Sequence, residues 1–156
     1  MAGSFYVADN TTWEYASRTY CRIASLYFLP APLAIEIVIG TFTLWLLVEI
    51  IKALADRDRP FLTFGQARVV GWHEKGDSFP SRHTTQIFFL MTLFVYYFQL
   101  GLRESIALYA IATLVGFTRI YVGAHYPRDV PAGIVLGSVW GILATLVDPY
   151  WFLLRI

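Results

Sequence analysis

Four apolar segments, at approximately residues 31 to 51, 84 to 100, 104 to 122 and 130 to 154, constrain the fold more than any other feature. Each approaches the roughly 20 residues that a helix needs to cross a bilayer, where backbone groups must be satisfied inside the segment itself. The sequence therefore predicts an all-α, multi-pass transmembrane helical bundle of about four spans, one membrane-embedded domain over residues 1 to 156. Hydrophobic residues make up 57% of the chain and charged residues 15%, against roughly 25% charged in soluble domains. Residues 13 to 29, WEYASRTYCRIASLYFL, are apolar too but carry Glu14, Arg18 and Arg22 at helical spacing, which favours an interfacial amphipathic helix over a fifth span. No basic region precedes an apolar run at the N-terminus, so no cleavable signal peptide is expected. Gly133, Gly137 and Gly141 recur every four residues in the last segment, a small-residue face that lets another helix approach closely.

A net charge of +1 gives no basis for nucleic-acid binding, and the single Cys21 excludes an intrachain disulfide framework. The polar residues are informative through their placement. With four spans the connections alternate sides, so residues 52 to 83 and 119 to 129 emerge on one face. That face collects Lys52, Arg57, Arg59, Arg68, Lys75, Arg82, Arg119 and Arg128 with His73, His83, His125 and Asp129. Counting cations would put it in the cytoplasm, but charges recruited to a site do not report topology. His73, in GWHEKGD, has no motif partner and reads as a solvated loop residue. The aromatic runs FVYYF at 94 to 98 and YW at 150 to 151 read as lipid-facing or interfacial anchors, and Asp148 as interfacial.

Three clusters have chemically meaningful spacing. In KALADRDRP, Lys52 and Arg59 are seven apart, so two helical turns would set both cations on one side, with Glu49 placed to pair with Lys52. In FPSRH, a proline stands at a helix start whose unpaired N–H groups form a ready anion site, and Arg82-His83 is a costly pair at the head of an apolar segment unless something negative binds there. In TRIYVGAHYPRD, Asp129 lies four residues after His125. If a helical turn connects them, the carboxylate accepts a hydrogen bond from one ring nitrogen and leaves the other as a nucleophile.

These blocks resemble the signature of the type 2 phosphatidic acid phosphatase family, K-x6-R-P, P-S-G-H and S-R-x5-H-x3-D. Here they read Lys52-x6-Arg59-Pro60, Pro80-Ser81-Arg82-His83 and Thr118-Arg119-x5-His125-x3-Asp129. Arg82 replaces the glycine that lets the backbone approach phosphate, and Thr118 replaces serine while keeping the hydroxyl. Many relatives have two clear spans before the first block, whereas this chain has one plus the amphipathic segment.

The resemblance implies a lipid phosphomonoester or diphosphate hydrolase that uses neither metal nor cofactor. His125 would attack phosphorus and form a phosphohistidine, with Asp129 orienting the imidazole. His83 would protonate the leaving oxygen and then activate water. Lys52, Arg59 and Arg119 would hold the nonbridging oxygens, aided by Ser81 and the helix start. Apart from the resemblance, Arg82 adds a substrate-binding cation beside the site and favours headgroups with a second negative group. Candidate substrates are lipid A 1-phosphate, undecaprenyl diphosphate (a polyprenyl phosphate), phosphatidylglycerophosphate and phosphatidic acid, handled in a bacterial inner membrane with the site facing the periplasm. A rival reading is a non-enzymatic module that binds or transports anionic phospholipids through the same cations. It gives no reason for two histidines and Asp129. The vanadate-dependent haloperoxidases share the constellation but are soluble and much larger.

Overall fold

The computed structural model describes residues 31–63 and 76–147, in which the regular elements are all helices, with no strand among the described residues. Helix α1 runs Ala31–Ala55, the short α2 Pro60–Thr63, α3 Arg82–Tyr97, α4 Leu102–Tyr121 and α5 Asp129–Leu146. The expected helix at 13 to 29, His73, Asp148 and the aromatic pair at 150 to 151 lie outside the described residues.

Helix α1 stops four residues short of Arg59, so Lys52 and Arg59 do not share a continuous helix as expected. Two local features end it. Asp56 takes a left-handed φ of 40°, with its N–H on the Lys52 carbonyl at 3.0 Å, and Pro60 disfavours helical geometry at the residue before it. Helix α4 ends at a glycine: Gly123 has φ 75° and donates its N–H to the Ile120 carbonyl at 2.9 Å, a conformation that costs a residue with a Cβ more than it costs glycine.

Helix α3 is the packing centre. The spaced glycines of α5 lie against it, as the sequence predicts. A Cβ on Gly133 would sit 2.9 Å from the Ser81 carbonyl oxygen, one on Gly141 would sit 2.7 Å from Cβ of Thr92, and one on Gly137 would overlap the Thr85 carbonyl. On the α1 side the Phe89 ring occupies the space that a side chain at Gly40 would need. Leu33, Leu44, Val48, Phe89 and Leu93 form the buried core between α1 and α3, with Leu136, Trp140 and Ala144 of α5 packed against it. Burying hydroxyls in such an interior is tolerable only when they are bonded. Thr85 Oγ1 donates to the Ser81 carbonyl at 2.9 Å, and Thr92 Oγ1 donates to the Phe88 carbonyl at 2.8 Å and lies 3.0 Å from the Tyr109 hydroxyl.

The aromatic run 94 to 98 departs from the lipid-facing expectation. Phe94, Tyr97 and Phe98 pack against the core, and the Tyr97 hydroxyl donates to the buried Glu36 carboxylate at 2.6 Å. Of the run's aromatic side chains, Tyr96 faces outward. A buried carboxylate on α1 needs a donor, and the tyrosine supplies one.

Two of the four expected spans, within Leu33–Thr63 and Asp129–Leu146, are long and apolar enough to cross a membrane by length and composition. Outward-facing apolar side chains run along α1 (Val38, Phe42, Ile50), α4 (Ile111, Leu114, Phe117) and α5 (Val135, Val139, Ile142).

The glycine contact yields a direct test. Gly137→Ala should overpack the α3–α5 contact at a cost of about 1–3 kcal/mol and lower the melting temperature in detergent. Val135→Ala, on the outward side of the same helix, should leave it nearly unchanged. Fluorescence-detected size-exclusion chromatography after heating reads both.

Candidate active site

The loop preceding α3 contains Gly76-Asp77-Ser78-Phe79-Pro80. Gly76 has φ 92°, a conformation that favours glycine, and no atom of the described residues lies within 4 Å of where its Cβ would be. From this point three successive carbonyls each take a hydrogen bond from a different motif side chain. Arg59 Nε donates to the Gly76 carbonyl at 2.8 Å, Lys52 Nζ to the Asp77 carbonyl at 2.8 Å, and His125 Nδ1 to the Ser78 carbonyl at 2.7 Å. Arg59 also reaches the Ala124 carbonyl at 3.4 Å, one residue before His125. All three side chains are buried. A carbonyl orients a cation without neutralising it, and an ammonium with three donors or a guanidinium with five has more to offer than one such bond uses.

The bond to Ser78 also sets the chemistry of His125. A carbonyl can only accept, so Nδ1 carries the hydrogen, and in the neutral ring the lone pair resides on Nε2. Nε2 is buried and has no hydrogen-bond partner among the described residues. A direct bond from the Asp129 carboxylate to this ring was the expectation. Instead the carboxylate lies 3.7 Å from Nδ1, its Oδ2 accepts the Tyr126 N–H at 2.8 Å, and its Oδ1 accepts from Arg57 at 2.7 Å. His125 sits in a turn and Asp129 is the first residue of α5, so no continuous helix brings the two side chains into register. At that helix start a carboxylate is favoured by the helix dipole. The backbone N–H of His125 is held by the Arg119 carbonyl at 3.2 Å.

The second block docks onto the third through the main chain. Ser81, fully buried, caps α3 in an extended conformation and donates its N–H to the Asp129 carbonyl at 3.1 Å, while its hydroxyl accepts from Thr84 at 2.9 Å. Arg82 starts α3, and its guanidinium pairs with Glu49 of α1, the carboxylate expected beside Lys52; both side chains are partly exposed. Its Nε is buried with no hydrogen-bond partner among the described residues. His83 is exposed on the first turn of α3, and Arg119 is half-buried in the last turn of α4. The Thr118 hydroxyl is exposed and turns back to the Val115 carbonyl at 2.6 Å, away from these groups.

Direct bonds thus draw Lys52, Arg59, Ser81, His125 and Asp129 into one connected group, with Arg82 joined to α1 three residues before Lys52. Two participants were not among the site residues expected from sequence. Ser78 acts through its backbone, which no side-chain motif can reveal. Arg57 could have been found: a buried carboxylate such as Asp129 requires compensation, and Arg57 is the cation of the first block left without a role.

The model of the PAP2 superfamily matches residues 29–153. A lipid A 1-phosphatase of Rhizobium johnstonii is 35% identical over 106 residues, 65% of this chain and 42% of the relative. A putative undecaprenyl-diphosphatase, YbjG, of Escherichia coli is 28% identical over 119 residues, 74% of this chain and 54% of the relative. The chain spans about half the length of these curated relatives. The crystal structure of a transmembrane PAP2-type phosphatidylglycerolphosphate phosphatase from Bacillus subtilis superposes with a TM-score of 0.63 at 22% identity, covering 89% of this chain and 70% of that one, a likeness of fold. With the matched region containing all three motif blocks, the chain belongs to the PAP2 superfamily.

Proposed function

We propose that the chain is an integral-membrane lipid phosphatase that works through a phosphohistidine, in a four-span bundle completed by α3 and α4. One observation carries the reading. Nδ1 of the buried His125 is fixed on a carbonyl while Nε2 has no partner among the described residues, and the two cations Lys52 and Arg59 are anchored on the neighbouring carbonyls of the same loop. A lipid-binding module would use the cations but has no need of an imidazole held in this tautomer.

In this reading Nε2 of His125 attacks phosphorus in line with the lipid oxygen. The P–O bond breaks as the N–P bond forms, and His83 donates a proton to the departing oxygen. Lys52, Arg59 and Arg119 face the equatorial oxygens, where charge is spread in the transition state. His83 then takes a proton from water, the water oxygen attacks phosphorus, and the N–P bond breaks to release inorganic phosphate. The exposure of His83 suits a group that must exchange protons with water twice per cycle. The chemistry is metal-independent, since the cations and the helix start supply the charge that a metal would.

The relatives' names suggest the substrate class: lipid A 1-phosphate, undecaprenyl diphosphate or phosphatidylglycerophosphate, with phosphatidic acid as the simplest member of the set. The site faces the periplasm from the inner membrane. Arg82 acts at the rim. A part-exposed ion pair such as Arg82–Glu49 is worth about 0–1 kcal/mol, so a second anionic group on a headgroup can take the place of Glu49.

Three outcomes test the proposal. His125→Ala should abolish phosphate release from all four lipids in detergent, whereas Asp129→Asn should leave measurable turnover because Ser78 still holds the ring; full activity of the His125 variant would exclude the mechanism. EDTA should leave the rate intact and orthovanadate, a mimic of five-coordinate phosphorus, should inhibit; a strict magnesium requirement would contradict the metal-independent chemistry. For Arg82→Gly the ratio of kcat/KM on undecaprenyl diphosphate to that on phosphatidic acid should fall, and a uniform loss on both would move Arg82 into the catalytic shell.

A further inference from the structure

Arg57 belongs to no motif position, yet it is bound to both groups that face Nδ1 of His125. Its side chain donates to Asp129 Oδ1 at 2.7 Å, and Asp129 Oδ2 lies 3.7 Å from Nδ1. Its own carbonyl accepts the Ser78 N–H at 2.8 Å, and the Ser78 carbonyl accepts from Nδ1 at 2.7 Å. Its guanidinium also lies over the ring of Tyr126, 3.9 Å from the centroid, and Tyr126 is the residue after His125. One residue therefore grips the histidine turn from the carboxylate side, the carbonyl side and the following aromatic ring.

From this geometry we infer that Arg57 is a positioning residue for phosphotransfer: it locks Asp129 and the Ser78 peptide, and through them fixes the direction in which Nε2 of His125 points. The inference rests on the reading of His125 as the nucleophile. The physical reason is the state of Asp129. This carboxylate is fully buried, and without a cation it would have to find compensation elsewhere. The nearest donor able to move is the Nδ1–H of His125. With Arg57 in place, Oδ1 is engaged, Oδ2 is held on the Tyr126 N–H, and the imidazole stays on Ser78. Remove the guanidinium and the ring is free to swing from the carbonyl toward the carboxylate, carrying Nε2 off the line of attack. The side chain of Arg57 is 20% exposed and lies between Asp129 and Tyr126, and the role inferred for it is exerted through these neighbours.

The test is steady-state phosphate release from phosphatidic acid in detergent micelles by the full chain, comparing wild type, Arg57→Ala, Arg57→Lys, Asp129→Asn, the Arg57→Ala/Asp129→Asn double variant and His125→Ala. Arg57→Ala should lower kcat on the order of 10²-fold, the scale of a misplaced reacting group, with KM nearly unchanged, and added guanidinium ion should restore part of the loss. Arg57→Lys should recover only part of kcat, because an ammonium cannot reproduce both the fork to a carboxylate and the stacking on a ring. The double variant should be no slower than the slower single one, since both act through one carboxylate. A raised KM at wild-type kcat would make Arg57 a substrate ligand, and additive losses would separate it from Asp129; either overturns the inference. Should Arg57→Ala fail to fold, Arg57→Lys decides: reduced kcat at unchanged KM supports the inference, and wild-type kcat overturns it. The parent reading fails separately, through absent phosphate release in wild type or an active His125→Ala variant. Wild-type behaviour of the Arg57 variants beside an inactive His125→Ala sinks only the role of Arg57.

Discussion

The candidate site depends on three hydrogen bonds to three successive carbonyls, those of Gly76, Asp77 and Ser78. The donors come from stretches far apart in the chain: Lys52 at the end of α1, Arg59 in the linker that follows, and His125 in the turn between α4 and α5. Bringing two cations and an imidazole together inside an apolar bundle costs desolvation energy, and main-chain acceptors offset part of it without cancelling the charge. The donors are held by the chain's own backbone, and under the proposed function they are aimed before substrate arrives. That is what electrostatic stabilisation of a developing charge requires, because donors already aimed need no reorganisation during reaction. The left-handed Gly76 opens the run of three carbonyls on which the three motif side chains are held.

Helix packing delivers the other half of the geometry. The glycine face of α5 lets its backbone lie directly on α3, and the same contact carries the start of α5 to the start of α3, where the Ser81 N–H meets the Asp129 carbonyl. Close approach of small residues is the usual way helices associate where lipid offers no hydrophobic gain. Here it also fixes the distance between the second and third motif blocks. Bulk at Gly133 would press on the Ser81 carbonyl itself, so packing and site geometry cannot vary independently.

Much of this was legible in the sequence, and the failures have a common cause. Segment positions came through because continuous apolarity is a strong signal, and α1, α3, α4 and α5 each begin within about two residues of expectation. The three motif blocks came through because side-chain types at fixed spacing survive any detail of the backbone. What the sequence hid was carried by the main chain. The bond from His125 goes to a carbonyl and not to Asp129, and Arg59 is brought beside Lys52 by a break at Asp56 and Pro60 and not by helical periodicity. Glu49 spans to Arg82 on another helix, which local i, i+3 reasoning could not foresee. The aromatic run at 94 to 98 misled because aromatic residues serve equally as membrane anchors and as core, and the buried Glu36 that calls Tyr97 inward is distant in sequence.

The central claim is that His125 is the covalent nucleophile, held by a carbonyl with Nε2 free to react. The most direct measurement is rapid acid-free quenching of the enzyme during turnover of a lipid bearing a radiolabelled phosphate, followed by protein isolation and peptide mapping. The account predicts a covalent label that is stable in base, labile in acid and located on the peptide containing His125. A label on His83, a base-labile acyl phosphate on Asp129, or steady product release with no covalent label at any time would contradict it.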